Sequence, residues 1–185
     1  MVVLSDRSIW RRMDGGDLDI SPMGDKGKQI QPCSVDLRLA DQYYDPDRDR
    51  VFDGENAAWI GPGDFLLGAT IERVRLPRDL CALVKGRSSI GRTGLQIHNA
   101  GWVDAGFEGE LTLELINFSE ETVKVTKGQR ICQIAFLPLD RQPLRDYGQR
   151  EDSKYQGQEG VTKSRIEQER EREREADDQK NTSSD

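Results

Sequence analysis

The chain has 185 residues and a mass of 21.0 kDa, with 27 Lys and Arg against 34 Asp and Glu and a formal net charge of −7. That length supports one domain with a real core and leaves no room for a second of similar size. The acidic balance excludes a general nucleic-acid or membrane-surface binder, because phosphate backbones and anionic lipids require a basic face.

Cys33, Cys81 and Cys132 are odd in number and widely spaced among apolar or strand-like residues, so they read as buried, reduced thiols rather than a disulfide framework. The first residues carry no basic-then-apolar leader, and no apolar run approaches membrane length. A cytoplasmic protein is expected.

In chain order, Ser5 and Asp6 signal a helix start, Ile9, Trp10 and Met13 share one face, and Gly15-Gly16 ends it. A short extended piece, 18–23, leads to a turn at 24–27. Val35, Leu37 and Leu39 then alternate with Ser34, Asp36 and Arg38, which is strand periodicity with a polar face. Asp36 and Arg38 read as cross-strand ion-pairing groups. Residues 45–56 form a surface loop or weak hairpin, followed by a tight turn at 59–64, strands over 65–74 and 80–84, and later strands over 122–126 and 130–137. Many short strands and a single helix predict an all-β barrel or sandwich.

The richest stretch runs from Lys85 to Asn117. Gly86-Arg87-Ser88-Ser89-Ile90-Gly91-Arg92 sets two guanidinium groups and two hydroxyls among small residues, a composition that suits phosphate oxygens. Gly101-Trp102-Val103-Asp104-Ala105-Gly106-Phe107 places one carboxylate between glycines and aromatic rings. In Glu110-Leu111-Thr112-Leu113-Glu114-Leu115 the leucines share one face and Thr112 and Glu114 the other. Taken singly, each piece reads as a solvated turn or an exposed strand face. Their crowding into one stretch points to a site.

Past Pro138 the apolar period is lost. Residues 140–165 read as a loop-like, mobile arm, and 166–185 carry eight acids and four bases, predicting a charged, disordered tail despite i,i+3 Glu/Arg pairs. The expected organisation is a domain over 1–165, arm included, and a tail over 166–185.

The segments Gln31-Pro32-Cys33-Ser34-Val35-Asp36-Leu37-Arg38-Leu39, 86–92, Ala100–Phe107, Thr112-Leu113-Glu114-Leu115 and Ser153-Lys154-Tyr155-Gln156-Gly157-Gln158 together resemble the dCTP deaminase branch of the trimeric dUTPase superfamily. The resemblance implies a dUTPase-like distorted, jelly-roll-like β-barrel with a short N-terminal helix and a flexible C-terminal arm, assembled as a homotrimer with sites at subunit interfaces. It implies Glu114 as catalytic acid/base flanked by Ser88 and Arg92. Arg87, Ser88, Ser89, Ile90, Gly91 and Arg92 would hold phosphates of a nucleotide bound to a neighbouring subunit. Asp104 would take the deoxyribose 3′-hydroxyl, Thr112, Leu113, Glu114 and Gln133 would read the pyrimidine, and Tyr147, Lys154 and Gln158 would close over the triphosphate. The implied ligands are dCTP and dUTP with Mg²⁺ carried on the phosphates, and neither nucleic acid nor membrane is an implied partner. Either Ala100 or Gly101 would present a carbonyl to the reacting water. The Ala-Gly-Trp-Val-Asp form is similar to members that also cleave dUTP to dUMP and diphosphate.

The residue chemistry is compatible with this resemblance. Zinc deaminases use a His/Cys/Cys or Cys₃ site with a Pro-Cys-x-x-Cys element, whereas this chain has one histidine, His98, and no Cys-x-x-Cys. A deaminase built from it is expected to work without zinc, and His98 reads as a structural residue at a strand end. Two rivals stand beside deamination: a dUTPase, which needs Asp104 but not Glu114, and a nucleotide-sensing relative without turnover.

Overall fold

The computed structural model describes residues 2–55, 57–98 and 101–182. Helix α1 (Asp6–Asp14) forms where the sequence predicts it, with Asp6 in its first turn and Arg11 and Arg12 in its last, each complementing the helix dipole. It buries Ile9 against the barrel. The turn predicted at 24–27 is instead the start of a one-turn helix, α2 (Lys26–Gln29), because the Asp25 carboxylate accepts from Lys28 N and caps it.

The remaining elements up to the arm are strands, apart from a one-turn helix, α3 (Ser88–Gly91). In the main sheet β8 (Leu95–Ile97), β10 (Glu108–Asn117), β6 (Phe65–Arg75), β3 (Ser34–Asp45), β12 (Arg130–Pro138), β7 (Leu80–Gly86) and β9 (Trp102–Val103) lie in that order, all antiparallel. Short strands β1 (Asp19–Ser21), β2 (Ile30–Gln31) and β4 (Arg50–Asp53) add to β6 or β3, and β5 (Ala57–Ile60) pairs with β11 (Val123–Thr126) in a separate two-stranded sheet. The polar stretch after Asp45 is thus the β3–β4 hairpin. The result is an all-β distorted barrel around Val35, Leu37, Leu39, Leu113, Leu115 and Phe136.

Distortion comes from interrupted registers, which bend and twist a sheet. Between Glu110 and Thr112 the partners on β6 jump from Arg73 to Ala69, so β6 carries two extra residues. Leu111 N, which loses its ladder partner there, donates to Thr70 Oγ1 (2.9 Å), and that hydroxyl donates to Glu72 O (2.8 Å). Beyond this point β10 alternates regularly, with Leu111, Leu113 and Leu115 buried and Thr112 and Glu114 on the opposite face.

A buried polar network stitches β3 to its neighbours. The Glu72 carboxylate, fully buried, accepts from Arg38 N (2.7 Å), Arg38 Nε (2.6 Å) and Gln29 Nε2 (2.8 Å). Asp36 Oδ2 accepts from Arg87 Nε (3.0 Å) and Arg130 Nη1 (3.1 Å). Both polar residues of the strand therefore do make ion pairs to other segments. Cys81 and Cys132 are buried, and burial pushes the Cys132 thiol up in pKa. Cys33 departs from expectation: it stands in the turn between β2 and β3 and is exposed.

Residues Ile166–Thr182 of the tail form a helix, α4, and 183–185 lie outside the described residues. Its Glu, Arg and Gln residues have high helix propensity, Arg170 pairs with Glu167 (2.6 Å), and Glu169 reaches Lys154 of the arm (2.9 Å). Among the described residues no helix is long and apolar enough to cross a membrane.

Removing one member of the Glu72 network leaves buried charge unpaired, which costs about 3–5 kcal/mol. Glu72→Ala is therefore expected to lower the unfolding free energy by about that amount, read from denaturant titrations at matched protein concentration.

Candidate active site

A cavity of about 700 Å³ opens between β10, the β9 turn and the arm, lined by Leu67, Val84, Trp102, Asp104, Phe107, Thr112, Leu113, Glu114, Tyr147, Tyr155, Gln158 and Lys163. It brings together Asp104, Thr112, Leu113, Glu114, Tyr147 and Gln158 from the residues singled out in the sequence. A smaller hollow of about 450 Å³ beside β4 and β5, lined by Asp45, Arg48, Arg50 and Trp59, holds none of them.

Glu114 is placed by the ladder: it lies opposite Leu67 of β6, and its carbonyl accepts from His98 N (2.8 Å). Its side chain projects from the non-leucine face of β10 to the cavity wall. Burial there pushes the carboxyl pKa up, and an electrostatic interaction with His98 opposes the shift. A carboxyl group shifted in this direction is better able to carry a proton near neutral pH. Leu113 points to the core and offers only backbone, while Thr112 Oγ1 accepts from Thr162 N of the arm (3.1 Å).

Asp104 opens a turn closed by Phe107 N donating to Asp104 O (3.1 Å). Gly106 is required in that turn, since its φ is 82° and a Cβ would lie 2.7 Å from Asp146. Gly101 O accepts from Val84 N (2.7 Å), so of the two carbonyls considered this one is already engaged by the sheet; Ala100 lies outside the described residues.

The arm runs along the first half of β10. Gly157 N donates to Glu108 O (2.7 Å), Glu110 N donates to Gln158 O (3.0 Å), and the buried Gln158 donates from Nε2 to Glu110 O (2.6 Å). Tyr147 donates its amide to Ala105 O (2.8 Å), accepts at its hydroxyl from Tyr155 N (3.0 Å) and packs on Phe107 at 5.9 Å.

The other sequence-selected residues lie elsewhere. Arg87 caps α3 and is held by Asp36 and by Arg130 O; Ile90 is buried in the core, and Ser88, Ser89, Gly91 and Arg92 are exposed. None of them lines the cavity of their own chain. Gln133, paired with Lys85 and Asp36, and Lys154, bound to Glu169, are also outside its wall. Tyr44, Tyr155 and Lys163 line the cavity without having been singled out. The spacing of Tyr147 and Tyr155 within the arm was a usable signal for the second tyrosine; nothing local marked Tyr44 or Lys163. Among the described residues no group of three His, Cys, Asp or Glu converges as a metal-ligating set.

The all-β barrel is dUTPase-like in fold. The EIAV dUTPase superimposes with a TM-score of 0.51 at 24% identity, covering 69% of this chain and 96% of that one, a likeness of fold. The 2′-deoxycytidine 5′-triphosphate deaminase from Agrobacterium tumefaciens superimposes with a TM-score of 0.62 at 25% identity, covering 72% of this chain and 47% of that one. The family model described as dCTP deaminase-like matches residues 3–139. The chain is 42% identical to the dCTP deaminase of Natronomonas pharaonis, over 92% of this chain and 97% of the relative. It is 43% identical to the dUMP-forming dCTP deaminase of Dictyoglomus thermophilum, over 89% and 95%. The chain belongs to the dCTP deaminase family.

The Gln158 side-chain bond to Glu110 O is one of the links that seat the arm. Gln158→Ala removes about 1 kcal/mol from that seating, so limited tryptic cleavage at Lys154 is expected to quicken about fivefold, with the thermal midpoint of the barrel nearly unchanged.

Proposed function

We propose that the protein hydrolyses dCTP at C4 of the cytosine, releasing ammonia, and carries the resulting dUTP on to dUMP and diphosphate. The observation that carries this reading is Glu114: a half-buried carboxyl with its pKa raised by burial, standing on a cavity wall beside Thr112 and Leu113, in a chain of the dCTP deaminase family. Ionised Glu114 takes a proton from water as its oxygen adds to C4. It delivers that proton to ring N3, then carries the hydroxyl proton of the tetrahedral adduct to the amine, so that C4=O forms as the C4–N bond breaks, one water is consumed and one ammonia leaves. The backbone of Thr112 to Glu114 and Gln133 would read the pyrimidine edge.

Ser88 and Arg92 are assigned to flank the reacting centre, and the Arg87–Arg92 segment to hold phosphates. The exposure of Ser88, Ser89, Gly91 and Arg92, outside their own chain's cavity, supports supply from a neighbouring subunit, and with it a homotrimer whose sites lie between subunits. Asp104 would accept from the 3′-hydroxyl, with Tyr147, Lys154 and Gln158 closing over the triphosphate. Magnesium carried on the substrate's phosphates would lower the charge that the arginines must meet. For the second reaction Asp104 would orient a water in line with the α-phosphate.

Glu114→Gln is expected to lower ammonia release from dCTP by at least about 10²–10⁴-fold while the protein still binds dCTP in a titration. Deamination within tenfold of the unsubstituted protein would remove Glu114 from the mechanism.

Since the base must be ionised at the outset and its pKa is raised, kcat/KM for dCTP is expected to fall on the acid side through an inflection above the ordinary glutamate value of about 4.3. A time course at saturating dCTP reads the product: dUMP and diphosphate rising with ammonia fit the two-step reaction. Accumulating dUTP, with added dUTP untouched, restricts it to deamination.

A further inference from the structure

Trp102 and Asp104 stand two residues apart on the wall of the same cavity. The backbone leading to them is pinned: Trp102 lies opposite Leu83 and Val103 opposite Ala82 in the β7–β9 pair, and Gly101 O is held by Val84 N. Alternation along this short strand buries Val103 beneath the sheet and turns the Trp102 ring outward, where it is 57% exposed. A large aromatic side chain left this open, with a polar tip, is poorly explained by packing alone.

The polar tip has a partner. Trp102 Nε1 donates to Asp104 Oδ1 at 3.2 Å, and among the described residues no other hydrogen bond reaches that carboxylate. The turn from Asp104 to Phe107 holds the main chain of Asp104, but its exposed side chain remains free to change rotamer. An indole N–H is a donor only, so it holds one carboxylate oxygen and leaves Oδ2 open to a second donor.

We propose that Trp102 is a positioning residue that sets specificity for the sugar: its indole N–H holds the Asp104 carboxylate in the rotamer that accepts the 3′-hydroxyl of the nucleotide. The inference rests on the assignment of Asp104 to that hydroxyl given above. Without the indole bond the carboxylate samples its other rotamers, and the contribution of the 3′-hydroxyl to binding and orientation is lost in proportion. The ring face, by contrast, remains available to pack against a ligand whether or not the N–H is present.

The test compares dCTP with 2′,3′-dideoxycytidine triphosphate as substrates of the full-length protein and of Trp102→Phe, which keeps a ring and removes the donor. Because Trp102 is exposed, the variant is expected to keep its thermal midpoint. For the unsubstituted protein kcat/KM favours dCTP. In W102F it is expected to fall about tenfold for dCTP and stay unchanged for the dideoxy substrate, so that discrimination shrinks. Equal losses with both substrates would assign Trp102 to packing alone and overturn the proposal, as would discrimination preserved in W102F. If the unsubstituted protein used both triphosphates equally, the contact between Asp104 and the hydroxyl would itself be wrong, and the proposal would fall with it.

Discussion

The bond from Leu111 N to the Thr70 hydroxyl sits where β6 carries two residues more than β10, and the geometry of the site depends on it. An unsatisfied buried amide costs about 1–3 kcal/mol, so the interruption persists only because Thr70 supplies an acceptor there. A slip of one residue would exchange the two faces of β10. Leu113 would then face the cavity, and Glu114 would be driven into the core, where a carboxylate has no partner. The leucine face and the register are therefore one constraint: apolar burial selects the register, and the hydroxyl makes it affordable next to an irregular β6.

Two electrostatic settings coexist in the barrel. Glu72 and Asp36 are buried carboxylates, Glu72 holding donors on both oxygens and Asp36 holding Arg87 and Arg130 on Oδ2, and they tie β3 to β6, β12 and the start of α3. Burial outweighs the two arginines in setting the direction of the Asp36 shift, which is upward. Glu114 is less deeply placed and has no such set of donors, so its upward shift leaves a group able to exchange a proton with whatever occupies the cavity. Structural carboxylates are locked by several bonds; the one on the cavity wall is left open to its contents.

The chain completes only part of its proposed site by itself. β10 and the β9 turn form one wall and the arm another, whereas α3 presents its serines and second arginine away from that cavity. Arg87 belongs to the support rather than the surface, clamped by Asp36 and Arg130 O. The arm is bound to β10 through its backbone as well as through Gln158, and Tyr147 joins it to Phe107. Its continuation into α4 brings Glu169 onto Lys154, so the acidic tail sits against the arm rather than apart from it.

Strand existence, the N-terminal helix and the two faces of β10 were legible in the sequence, because the period of apolar residues and the capping chemistry are carried by near neighbours. The resemblance in ordered motifs was likewise legible and led to the family. Tertiary structure alone decided the rest. That Arg38 pairs with Glu72 and Asp36 with Arg87 and Arg130 depends on which strands become neighbours. That Cys33 is exposed depends on the tightness of the β2–β3 turn, and that 166–182 is helical depends on the pairing of Glu and Arg side chains along it and on a contact with the arm. Tyr44 and Lys163 reach the cavity from segments distant in sequence, and Ser88 and Arg92 lie outside its wall. A side chain's chemistry is written in its own identity, whereas its neighbours are set by the long-range register and closure of the sheet.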